Sequence, residues 1–288
     1  MDDLFPGFDT VDVDTAEATV HVRRGGSGPP ALLLHGHPET HIMWHRVAPR
    51  LAEELTVVVA DLRGYGDSSA PASAPDHEPY SKRAMARDMV TVMTSLRFPR
   101  FSLVGHDRGG RVSYRLALDH PDRVERLAVL DIVPTAEMWN RMDARLALEN
   151  WHWLFMAQAE PFPERLIGFD VDSYYFRGSR ERFDPRALEA YLGALRRPET
   201  IHAICEDYRA GATYDGELDA ADKAEGRRIA CPVLVLWSAL EDLDPLDPVS
   251  IWREWADDVR GRGLDCGHFL AEERPDETLA ELRGFLLG

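Results

Sequence analysis

Gly105-His106-Asp107-Arg108-Gly109 lies between an apolar run, FSLV, and a segment with helical spacing. This strand–turn–helix signature has the spacing of the G-x-S-x-G nucleophile turn, with a carboxylate where the hydroxyl would be. The flanking glycines permit a tight backbone turn. The amides that open the following helix favour the ionised form of Asp107. An ionised carboxylate is a poor attacker of esters and amides. It can displace a leaving group from an sp³ carbon and become an enzyme-bound ester. The chemistry expected of Asp107 is therefore alkyl transfer followed by ester hydrolysis. Its bland alternative is an aspartate that merely caps a helix.

Hydrolysis of such an ester needs a base. His268, in LDCGHFLAEERP, follows a predicted last strand and precedes a predicted helix, where the chain order nucleophile–acid–histidine would place it. Two carboxylates could orient it. Asp131 ends the strand-like run LAVLDI, and Asp242, with Asp244 beside it, follows PVLVLW. Asp131 is preferred, because a carboxylate ending a buried strand is better fixed than one in a Pro- and Asp-rich loop. His35-Gly36-His37-Pro38, after the run ALLL, has the form of a loop that donates a backbone N–H to an oxyanion. The amide of Arg108 would be the second donor.

Arg108 and Arg111 are three residues apart and share one helix face. A cation at a helix N-terminus opposes the macrodipole, a misfit that an anion bound there would relieve. A substrate carboxylate fits that description. Further along, NWHWLF places Trp151, His152 and Trp153 together, and EDYRAG brings Tyr208. Indole, imidazole and phenol are donors without competing negative charge and suit a small leaving anion. Trp151 is expected to pack the surrounding helices.

These residues need a frame. ALLLHG (31–36), TVVVAD (56–61), SLVGHD (102–107) and LAVLDI (127–132) are continuous apolar runs separated by helical patterns, WHRVAPRLAEEL and SKRAMARDMVTVMTSLR. That alternation predicts an α/β fold with a mostly parallel sheet covered on both faces. ATVHVRR (18–24) predicts an antiparallel edge strand. From 135 to 212 the strand pattern gives way to aromatic-rich helical segments, and it returns at PVLVLW (232–237). The division predicted is a core over 1–134, an inserted helical cap over 135–212, and a second core part over 213–288, closed by the amphipathic PDETLAELRGFLL.

The 288 residues carry a net charge of −17, which argues against nucleic acid or an anionic membrane as partner. An anionic substrate would have to be drawn in by local cations. No apolar run is long enough to span a membrane. The acidic start MDDLFPGFDTVDVD lacks the features of a signal peptide. The three cysteines, Cys205, Cys231 and Cys266, suggest neither a disulfide framework nor a zinc site, so a reducing cytoplasm is expected.

Taken together, G-H-D-R-G-G-R, H-G-x-P-x-T-H-x-M-W-H, the cap segments with H-W and D-Y-R, and the late G-H-F resemble the fluoroacetate dehalogenases of the α/β-hydrolase superfamily. The resemblance runs over nearly the whole chain. It implies Asp107 as nucleophile, His268 as base, Asp131 as its orienting acid, Arg108 and Arg111 as a carboxylate clamp, and His152, Trp153 and Tyr208 as a halide pocket. It implies hydrolysis of a short 2-haloacid such as fluoroacetate or chloroacetate with no metal or organic cofactor, and a homodimer. Three features depart from the family pattern. YYFRGSRERFDPRAL is short, no Trp stands between the two halide-pocket segments, and His37 occupies a position expected to be apolar.

An epoxide hydrolase or a haloalkane dehalogenase would share the Asp and His but leave the two arginines without a role. A non-catalytic small-anion binder on the same fold would be expected to lack one of nucleophile, base or acid.

Overall fold

The computed structural model describes residues 4–288. The first three residues of the predicted core segment 1–134, with the start of the acidic terminus, lie outside the described residues. Eight strands form one sheet: β1 (Asp9–Asp14), β2 (Thr19–Gly25), β3 (Pro30–Leu34), β4 (Thr56–Ala60), β5 (Phe101–His106), β6 (Val124–Leu130), β7 (Val233–Ser238) and β8 (Val259–Leu264). Their spatial order is β1-β2-β4-β3-β5-β6-β7-β8. β4, β3, β5, β6, β7 and β8 run parallel to one another, and β2 runs antiparallel to both β1 and β4.

The apolar runs read as buried strands occupy the centre. Leu32, Leu33, Val58, Val104, Val129 and Val235 are fully buried, as expected where helices cover both faces of a parallel sheet. ATVHVRR is antiparallel but is not the edge, since β1 lies outside it. The sequence of β1, DTVDVD, buries only Val13, so three aspartates mask its strand character.

Register decides where the site forms. His106 at the end of β5 pairs with Leu130, and Leu130 pairs with Leu236 on β7. The residues that follow, Asp107 and Asp131, therefore emerge side by side on the C-terminal rim of the sheet, where open α/β sheets bind ligands.

Between β6 and β7 the described residues form helices only. The stretch EMWNRMDARLALENWHWLFMAQ is broken into three short helices, Thr135–Asn140, Ala144–Glu149 and Trp151–Met156. Asp143 starts the second by accepting the Leu146 N–H at 2.8 Å, an N-cap inside what reads as one periodic segment. Helices Pro185–Leu195 and Pro198–Ala212 follow as the sequence predicts. A further helix, Tyr214–Ala224, is tied to the helix after β5: Asp219 accepts the Tyr114 hydroxyl at 2.7 Å, and Asp222 meets Arg115 at 2.5 Å. No helix of the described residues is long and apolar enough to cross a membrane.

Candidate active site

Asp107 opens the helix Asp107–Asp119 with φ at 44°, a left-handed conformation that is uncommon outside glycine and marks a strained turn. Gly109 lets that helix pass close to β3: a Cβ there would lie 2.3 Å from the His35 carbonyl. The His37 N–H donates to Asp107 Oδ1 at 2.8 Å, leaving Oδ2 as the oxygen without that tether. Burial pushes the Asp107 carboxyl up. The positive groups around it, His268, His106, Arg108 and Arg111, outweigh that and hold it well below the usual carboxylate range. Asp107 is an anion at any working pH.

Asp131 also adopts a left-handed backbone, φ 53°. Its Oδ1 accepts the Ser238 N–H at 2.8 Å, and its Oδ2 meets His268 Nδ1 at 2.5 Å. Asp242 instead accepts from the Asn150 side-chain amide at 2.6 Å. Of the two carboxylates left open by the sequence, Asp131 is the one brought to His268. Burial of the imidazole lowers its pKa. The hydrogen bond and charge of Asp131, with the charges of Asp107 and Glu241, more than reverse this and lift it to about 10. His268 is therefore an imidazolium while Asp107 is ionised.

The sequence did not single out His106. Its Nε2–H donates to the His268 carbonyl at 2.8 Å, and Glu39 Oε2 lies 3.1 Å from its Nδ1. The pair pins the backbone that carries His268. The only signal for it was its place next to Asp107. Asp131, Glu241 and His268 bring three potential metal-ligand atoms within 4.8 Å of one another. A metal would need neutral His268, and the carboxylates that gather there favour the imidazolium.

A cavity of about 750 Å³ opens over the rim, lined by Asp107, His268, Arg111, His152, Trp153 and Tyr208 among others. His152, Trp153 and Tyr208 form one corner: the His152 and Trp153 rings lie 5.9 and 6.3 Å from the Tyr208 ring. Among the described residues, none of the three side chains has a hydrogen-bond partner, so their donors face the cavity. Burial lowers His152 to about 4, so it enters that corner neutral. Trp151 is half exposed and packs on Phe155 and Tyr174.

The two arginines are placed differently. Arg111 lines the cavity. Its Nη1 donates to the Val133 carbonyl and to Thr135 Oγ1, each at 3.1 Å, and its Nε is buried with no partner. A buried unpaired cationic donor calls for a ligand to explain it, and a side edge of guanidinium fits a carboxylate. Arg108 lies under the Tyr208 ring, 4.0 Å from its centroid. Its Nε and Nη2 donate to the Asp207 carboxylate at 2.9 and 2.8 Å, and Nη2 also reaches the Asp207 carbonyl. Lys82 makes a second, short contact with Asp207. Only Nη1 of Arg108 remains without a partner among the described residues. Asp207 was missed by sequence reading, although it sits beside Tyr208 in EDYRAG.

The family model described as the alpha/beta hydrolase fold matches residues 29–275. A fluoroacetate dehalogenase from Burkholderia is 47% identical, over 98% of this chain and 95% of the relative. A Nostoc α/β hydrolase of known structure is 49% identical with a TM-score of 0.95, covering 98% of this chain and 99% of that one. A soluble epoxide hydrolase from Corynebacterium is 32% identical over 89% of each chain. The first two likenesses cover nearly the whole chain, and the chain belongs to the fluoroacetate dehalogenase family of α/β hydrolases.

Proposed function

We propose that this chain hydrolyses a short 2-haloacid, such as fluoroacetate or chloroacetate, to the 2-hydroxy acid and halide through an ester on Asp107. One observation carries the reading: Asp107 shares a cavity with Arg111 and with His152, Trp153 and Tyr208, whose side-chain donors have no hydrogen-bond partner among the described residues. A carboxylate and a leaving halide satisfy both sets at once. An opened epoxide satisfies the second and leaves Arg111 idle.

The substrate carboxylate sits on Arg111 and on Nη1 of Arg108, which Asp207 holds in place. Asp107 Oδ2 attacks the α-carbon, the carbon–halogen bond breaks, and the halide leaves with the bonding pair into the corner of His152, Trp153 and Tyr208. The halide is stabilised there as its charge develops. With Asp107 esterified, its negative charge no longer supports the imidazolium. His268 loses a proton to solvent and becomes the base that Asp131 orients. Water then attacks the Asp107 carbonyl carbon, giving its proton to His268. The oxyanion forms on Oδ1, held by the His37 N–H and by the amide of Arg108. As that intermediate collapses, His268 returns the proton to the departing alkoxide and frees the hydroxy acid, and the Asp107 carboxyl then passes its own proton to His268, which restores the resting pair.

The finer assignments have their own support. The cap is 135–212 and the core resumes at 213, because Asp219 and Asp222 tie the helix Tyr214–Ala224 to the core residues Tyr114 and Arg115. A cytoplasmic setting fits three thiols that are all unpaired. A homodimer fits the exposed Leu148, Leu154, Phe162, Leu166 and Phe169 of the cap helices.

The test is halide release from fluoroacetate and chloroacetate, followed by ion-selective electrodes, with Asp107→Asn as control. Halide release that disappears in the control supports both the reaction and the nucleophile. Absence of halide from either acid with the wild type would sink the reading.

A further inference from the structure

We propose that the His37 side chain determines leaving-group specificity, adding a neutral N–H donor to the halide corner and so favouring fluoride over the larger halides. The inference rests on the dehalogenase reading and goes beyond it, since that reading gives the His37 side chain no role.

The backbone N–H of His37 holds Asp107 Oδ1, so the ring is carried by the residue that tethers the reacting carboxylate. The ring packs edge-on against Tyr208, with centroids 5.4 Å apart and planes at 83°. Tyr208 is the same ring that His152 and Trp153 pack against. Three N–H-bearing rings therefore surround one phenol. His37 also meets Tyr175, with ring centroids 5.2 Å apart.

The protonation state follows from burial. Only 8% of His37 is exposed, and burial lowers its pKa to about 3, so the ring is neutral with a single N–H. Nδ1 is buried without a partner, and His37 lines the cavity. Nε2 has no partner among the described residues. An orphaned buried N–H is the rarer and costlier arrangement. The hydrogen therefore belongs on Nε2, where cavity contents can accept it, and Nδ1 keeps only a lone pair. The added group is a donor without charge. It discriminates by hydrogen bonding, and fluoride, the smallest and hardest halide, gains most from one more donor.

The experiment compares wild type, His37→Phe and His37→Gln in kcat/KM for fluoroacetate and for bromoacetate, read as fluoride and bromide release. The ratio of the two should fall about tenfold or more in the Phe variant, the worth of one hydrogen bond to a developing anion, and recover in Gln, which keeps a donor. An unchanged ratio in His37→Phe overturns the proposal, as does an equal loss for both acids. A second measurement needs no variant to be active: in nitrogen-15 NMR of the histidine-labelled wild type, fluoride should shift the His37 Nε2 resonance more than bromide does. Equal or absent shifts overturn it too. Failure of the dehalogenase reading looks different, since the wild type then releases no halide from either acid.

Discussion

Replacing Asp107 by Asn should free His268 to act as a base. In the resting protein His268 is lifted to about 10 by Asp131, Asp107 and Glu241 acting against the cost of burial. Asparagine has the shape of aspartate and, like the ester, no charge. An opposite charge within about 4–6 Å is worth roughly 1–3 pKa units, or roughly 1.4–4 kcal/mol. The His268 pKa should therefore fall from about 10 into the range of roughly 7–9 in Asp107→Asn. The sign matters: a lower pKa means a larger neutral fraction at a given pH, so the catalyst gains its base only after the nucleophile is consumed. Histidine nitrogen-15 NMR, titrated from mildly acidic to strongly alkaline pH, reads the pKa directly. Asp242→Asn is the control, because Asp242 is bonded to Asn150 and not to His268. An unmoved His268 titration in Asp107→Asn would refute the reasoning. So would a shift of equal size in the control, which would mean that the field at His268 is set by general acidity and not by the carboxylate that reacts.

Three further outcomes follow from the same geometry. Asp131→Asn should keep a halide burst of one per site while steady-state turnover falls by roughly three to four orders of magnitude, read by rapid-quench halide measurement; loss of the burst itself would contradict the separation of the two steps. Asp207→Ala strips two buried cations, Arg108 and Lys82, of their partner and should cost about 3–5 kcal/mol in urea unfolding; a cost below about 1 kcal/mol would mean that the network relaxes without strain. Arg111→Lys replaces a planar edge by a point charge and should raise KM for chloroacetate by roughly tenfold to a hundredfold, with kcat changed less; an unchanged KM would remove Arg111 from the carboxylate site.

Much of this site was legible because it is built from strand ends. Asp107 and Asp131 each close an apolar run, and parallel register then places them side by side without further information. His268 follows from the same logic once a last strand is granted. What the sequence hid has long separations or misleading local character. Lys82 and Asp207 are 125 residues apart, one at the start of a core helix and the other in the cap. Neither residue's neighbours indicate the other. Arg108 and Arg111 are equivalent by spacing on a helix face and unequal in the fold, because only one of them points at Asp207. β1 escaped notice because DTVDVD is acidic and buries a single valine. The division of the first cap segment into short helices escaped because the N-cap at Asp143 interrupts a pattern that stays periodic in composition.

The pairing of Arg108 with Asp207 answers how a chain of net charge −17 can handle an anion without trapping it. Arg108 and Lys82 are met by Asp207, with Asp215 3.6 Å from the lysine. Most of their charge is thus spent inside the protein, and of the two helix arginines Arg111 is the one that lines the cavity. Across the cavity the resting charges balance in the same way: His268 as imidazolium stands between Asp131 and Asp107. In the proposed mechanism, esterification of Asp107 removes one negative charge from this arrangement while the halide and the substrate carboxylate are both present. The positive groups then hold them at the stage when holding is useful. Loss of the His268 proton lowers that surplus and creates the base in the same event. Hydrolysis returns the Asp107 charge beside the bound products, and the repulsion that follows favours their departure. A site with two free arginines would bind the acid more tightly and would also retain the hydroxy acid and halide. Committing Arg108 to a buried carboxylate trades ground-state affinity for release, a use of charge that serves turnover more than binding.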